Sequence, residues 1–197
     1  MKLMPLTNKA AAHVFRHHPL VAVDLGFSGA SKSCGVAFHS TSAQLHSENC
    51  TFPNAIRAVA DFMRKTREGV LILEAPLSAA FGPAGNPCAR HEIERGTTPR
   101  WWSLRAGATM SLAALHFCRG LQSHLPNNFR LHLVEGFVTG DASGEHSAVA
   151  ARLVKAFRGS CPANWLTVAC AGDIVPITAW FGQPRASECP VILQPIE

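Results

Sequence analysis

The stretch Val21-Ala22-Val23-Asp24-Leu25-Gly26-Phe27-Ser28-Gly29 decides how this chain is read. An apolar run ends on a carboxylate, and a glycine-containing turn follows at once. Gly35-Val36-Ala37-Phe38 returns as a second apolar segment, so residues 20–23 and 35–38 read as a β-hairpin whose connection is rich in turn formers. Asp24 is thereby expected at a strand edge, facing a space that a cation or a phosphate could enter. Two later runs repeat the pattern: Val70-Leu71-Ile72-Leu73 ends on Glu74, and Leu131-His132-Leu133-Val134 ends on Glu135.

Ala43-Gln44-Leu45-His46 is read as a third strand. Thr51-Phe52-Pro53-Asn54 opens a helix, with Ile56, Val59, Ala60 and Met63 at helical spacing. Arg64, Lys65 and Arg67 oppose the negative end of its dipole, and Gly69 is expected to stop it. Val70–Leu73 shows no alternation and reads as a central strand covered on both faces. Pro76 has no N–H to donate, which ends that strand near Glu74. Residues 79–99, with Gly82, Pro83, Gly85, Pro87, Gly96 and Pro99, read as a loop insertion. Leu104, Ala108, Leu112, Leu115 and Cys118 predict a helix over 101–121 closed by Gly120. A turn at 140–144 precedes another helix, with Val149, Ala150, Leu153 and Phe157 on one face. Leu166–Ala169 is a strand or a short helix, and 190–194 a terminal strand.

Helices between the later strands imply parallel neighbours joined by crossovers. The fold class is therefore α/β, a mixed β-sheet flanked by helices. Residues 1–19, including His13, His17 and His18, read as a solvated, mobile lead-in, and 20–197 as a single domain.

A chain of 197 residues fits one domain, and 47% apolar residues supply a sizeable core. Only 16% are charged, which argues against disorder. The net charge of +5 is compatible with a polyanionic partner without requiring one. Seven scattered cysteines form no Cys-x-x-Cys pair, so zinc and thioredoxin-type motifs lack support. Free thiols in a reducing cytoplasm are expected, with neither signal peptide nor membrane span.

Three strands ending in acids would place Asp24, Glu74 and Glu135 close together, since neighbouring strands lie about 5 Å apart. Such acids repel unless a divalent cation sits between them, and hard oxygen ligands suit Mg²⁺ or Mn²⁺. A pair of ions could align a water with a phosphodiester.

These residues resemble the ribonuclease-H-like superfamily. The RuvC-type resolvases are a well-understood branch, and a prokaryotic RNase-H-like family of unassigned function is nearer still. The resemblance covers roughly residues 20–157 and rests on Asp24, on Glu74-Ala75-Pro76-Leu77, on Arg90 with Glu92 or Glu94, and on Glu135. It implies a Mg²⁺- or Mn²⁺-dependent nuclease, or a related phosphoryl-transfer enzyme, acting on nucleic acid and able to pair as a homodimer. Asp24, Glu74 and Glu135 would hold the metal. Where the family's closing helix bears an Asp, this chain has Glu145-His146, either of which could complete the shell; a plain capping segment with Ser143 as N-cap is the other reading.

Ser28, Lys32, Arg90, Arg100 and Arg105 are candidates for substrate phosphate contacts, and each also reads as ordinary surface polarity. Trp101 and Trp102 could stack on bases or pack half-buried at a helix start. Two other classes remain. Asp24-Leu25-Gly26-Phe27-Ser28 matches the phosphate loop of the actin and sugar-kinase superfamily, although those proteins enclose ATP with two such domains. A catalytically silent module that kept the fold is the third reading.

Overall fold

The computed structural model describes residues 1–26, 31–40, 44–91, 94, 106–138, 145–168, 173–182 and 189–196. The elements follow in the order β1 (Lys2–Pro5), α1 (Lys9–Val14), β2 (Leu20–Asp24), β3 (Cys34–His39), β4 (His46–Cys50), α2 (Phe52–Met63), β5 (Glu68–Glu74), β6 (Ser78–Phe81) and β7 (Pro87–Cys88). Then come α3 (Ala106–His124), β8 (Arg130–Gly136), α4 (His146–Arg158), β9 (Ala163–Leu166), β10 (Asp173–Pro176), a 3₁₀ helix (Ile177–Phe181) and β11 (Ile192–Pro195).

The main sheet runs β4-β3-β2-β5-β8-β11-β9, with β1 also paired to β8. β2, β3 and β4 are antiparallel neighbours, whereas β2, β5 and β8 are parallel and joined through helices. The α/β class with a mixed sheet is therefore observed. β10, β6 and β7 form a separate antiparallel sheet.

Leu20–Leu25 and Val70–Leu73 are buried on both faces, which is why neither run alternates. Val21, Val23, Leu71, Leu73, Leu131 and Leu133 point toward α2 and α3. Leu20, Ala22, Val70, Ile72 and Val134 point toward α4. The predicted stripe of α2 is the one it buries. That helix ends at Met63, however, and Gly69 belongs to β5. Gly120 likewise lies inside α3, where a Cβ would meet Ile56 Cδ1 at 2.7 Å, so it sets how closely α3 crosses α2.

Residues 1–19 are not a lead-in detached from the domain. Leu3 and Leu6 are buried, β1 pairs with β8, and the Met1 ammonium donates to the Asn127 carbonyl at 2.9 Å. Part of the expected 79–99 loop is the β6–β7 hairpin. Among the described residues, no helix is long and apolar enough to cross a membrane, and six cysteines are free.

At the start of β5, Glu68 pairs with Arg130 at 2.6 Å and lies 3.5 Å from both His18 and His132. The buried His132 ring sits 3.8 Å from that of Phe15, centroid to centroid. Burial lowers the His132 pKa below its ordinary 6.5, against the opposing pull of Glu68. Burial, with Arg158 nearby, lowers that of His39. Both therefore bind a proton less readily in the fold than in the unfolded chain. Their contribution is complete above pH 6.5 and is lost as the pH falls toward the folded pKa values. The urea midpoint should therefore drop between about pH 7.5 and about pH 5.5, and drop less in His132→Asn.

Candidate functional site

The site is built where β2 and β5 end. Asp24 is in register with Glu74, so the two side chains leave neighbouring strands on the same face, the one covered by α4. Asp24 is 7% exposed, and its Oδ2 lies 2.7 Å from Nδ1 of His146. An ionised carboxylate only accepts, so Nδ1 is the donor in this contact. His146 is the first residue of α4, and its side chain is 47% exposed. The Asp24 side therefore lies against the protein while the His146 ring reaches solvent.

Two features of β3 and β4 hold the start of α4 in place. Gly35 is the register partner of Asp24 on β3. A Cβ at Gly35 would come within 1.9 Å of the His146 carbonyl carbon, so only glycine lets the helix rest on the strand there. Asn49 is the register partner of Gly35 on β4, and its Oδ1 accepts from the Ser147 amide at 2.8 Å. That amide belongs to the first turn of the helix, where backbone donors have no partner within the helix. Glu145 occupies the N-cap position, exposed, with no side-chain capping bond. Of the 145–146 pair, His146 is thus the one that touches Asp24. On the other side, Cys34 Sγ lies 3.4 Å from both the amide and the carbonyl of Gly26 and holds Gly26 beside β3.

Glu135 is the correction. It is in register with Leu73, one residue short of Glu74, and therefore points to the opposite face. There it accepts from Arg90 Nη1 and Nη2, both at 2.7 Å, and from the Leu77 amide at 2.8 Å. Glu94 accepts from Arg90 Nε at 3.0 Å, from Nη2, and from the Arg90 amide at 2.6 Å. Ser78 Oγ accepts from Nη1 at 3.0 Å. Arg90, Glu94 and Glu135 are each at most 1% exposed. Burial alone would lower the Arg90 pKa, but Glu135 and then Glu94 outweigh it and raise it.

Arg90 is therefore committed to two carboxylates inside the protein and is not placed to meet a substrate phosphate. The three acids expected in one pocket divide into Asp24 with Glu74 on one face and Glu135 with Arg90 and Glu94 on the other. Among the described residues, no group of three His, Cys, Asp or Glu is arranged to hold a metal ion. Lys32 is exposed. Ser28, Glu92, Arg100, Trp101, Trp102 and Arg105 lie outside the described residues.

Sequence reading missed Gly35 and Asn49. A glycine within a strand pattern was the available signal for the first, since it marks a close backbone approach. Asn49 carried none, because its partner is a helix start nearly one hundred residues away. No family model matches this chain, and neither does any curated protein or solved structure.

Proposed function

We propose that the chain is a ribonuclease-H-like domain that cleaves phosphodiester bonds in nucleic acid with a divalent cation, Mg²⁺ or Mn²⁺, held by Asp24 and Glu74. The observation that carries this reading is the pairing of these two acids on adjacent strands and one face, with His146 on Asp24 at 2.7 Å. The chain order behind the resemblance also supports it: an antiparallel hairpin whose first strand becomes central, then parallel strands reached through helices. Two neighbouring carboxylates offer the hard oxygen donors that such an ion prefers. With Glu135 committed to Arg90, the donor set fits one ion better than two.

When bound, such an ion supplies stabilisation of the charge that develops on a phosphoryl oxygen. The protein's own part is to hold both carboxylates at the strand ends and to keep a proton at His146 Nδ1, which fixes the orientation of Asp24. The exposed imidazole is placed to pass a proton to or from solvent.

With Mn²⁺, the purified chain should nick labelled single- or double-stranded DNA or RNA. Asp24→Asn should reduce cutting to background, and His146→Ala should slow it by about 10–100-fold through the loss of a group that orients a ligand. Cleavage that survives Asp24→Asn overturns the assignment. The commitment of Glu135 to Arg90 favours one other reading, a silent module of the same fold. That reading requires no cutting by the wild-type chain and no Mn²⁺-induced rise in its melting temperature.

A further inference from the structure

On the α3 side of the molecule, away from the face that carries Asp24, a cavity of about 390 Å³ lies between α3, β6, β10 and the 3₁₀ helix. Its walls are nearly all apolar, with Leu77, Phe81, Leu115 and Ile177 inside and Leu112 and Trp180 at the mouth. Leu112 is 63% and Trp180 70% exposed, which is unusual for large apolar side chains that border a concavity. Among the described residues the lining carries two hydroxyls, and both are engaged, Ser78 with Arg90 and Ser111 with the Gly107 carbonyl.

A second hollow of about 450 Å³ borders it along α3, sharing Leu112, Leu115 and Trp180 in its lining and adding His116, Arg119, Gln122 and Phe181. The His116 ring is held by stacking on Phe52, at 5.7 Å between centroids and 11° between planes. No acidic side chain lines either hollow among the described residues. The groove is thus apolar at one end and cationic at the other. From Ala108 to Arg119 the helix beside it rises about 16 Å. Volumes of about 300–1,000 Å³ are those of small-molecule sites, whereas a partner protein is met by a flatter and wider surface.

We propose that this groove binds a linear amphipathic anion, an acyl carboxylate of medium chain length, with its tail between Leu77, Leu112 and Trp180 and its head at Arg119 and His116. The length of the groove, its apolar walls and its cationic end each match a part of that molecule. The proposal is independent of phosphodiester chemistry at Asp24.

The test is titration of the full chain with dodecanoate below its micelle-forming concentration, followed by tryptophan emission and calorimetry. Saturable one-to-one binding is expected, with an emission change that disappears in Trp180→Phe. Leu112→Glu, at a position exposed enough to leave the fold intact by circular dichroism, should abolish binding. Arg119→Glu should weaken dodecanoate by about tenfold and leave dodecanol unaffected. Non-saturable binding, equal affinity in Leu112→Glu, or dodecanol bound as tightly as dodecanoate by the wild type overturns the proposal. So does binding confined to anionic phospholipid vesicles, since the surface would then meet a membrane and not a free acyl anion.

Discussion

Arg90→Met should be the most destabilising single change in the molecule, costing about 3–5 kcal/mol. The side chain would still fill space, but Glu94 and Glu135 would remain beneath the surface with their shared cation gone. The cost is a large part of a total stability of about 5–15 kcal/mol. Arg90→Lys should lose much of the same amount, because one ammonium cannot reproduce the fork that reaches Glu94, Glu135 and Ser78 together. Neutralising both acids in the Arg90→Met background should restore most of the loss, since the damage lies in uncompensated charge. Urea unfolding of the three variants measures this. A midpoint for Arg90→Met equal to that of the wild type would show that the two carboxylates find other partners.

Gly35→Ala should damage the candidate site without touching an acid. The added Cβ would sit 1.9 Å from the His146 carbonyl carbon and oxygen and 2.4 Å from the Ser147 amide nitrogen. These are backbone atoms, so no rotamer change relieves them. Ordinary carbon contacts begin at about 3.5 Å, so the start of α4 must retreat by about 1.5 Å. The Asn49–Ser147 bond and the His146–Asp24 contact should both break. Overpacking of this kind costs about 1–3 kcal/mol. Metal-dependent cleavage should fall at least as far as in His146→Ala. Melting temperature and cleavage rate, read on the same preparation, check both effects. An unchanged rate would mean that the position of α4 does not matter to the chemistry.

The hairpin, the parallel strands and the three major helices were legible because each carries an apolar run or a helical stripe. Asp24 and Glu74 were legible as strand-end acids for the same reason. The facing of Glu135 was not. β5 and β8 are buried on both faces, so their sequences do not alternate, and nothing in them tells which residue of one strand stands beside which residue of the other. An offset that pairs Leu73 with Glu135 moves that acid to the other side of the sheet. β1 was missed because four residues with two buried or half-buried positions carry too little pattern. β4 was placed too early, at 43–46, because the observed edge strand His46–Cys50 is mostly polar and exposed. Arg90 lies in a stretch rich in glycine and proline, which reads as a loop insertion. Its burial depends on two acids, one four residues away and the other forty-five.

Anomalous diffraction from a crystal soaked in Mn²⁺ shows whether the Asp24–Glu74 edge holds a cation. One peak is expected between the carboxylates of Asp24 and Glu74, with Glu135 still bound to Arg90. A peak at Glu135, or a well-ordered Asp24–Glu74 edge that takes up no manganese, would contradict the proposed site.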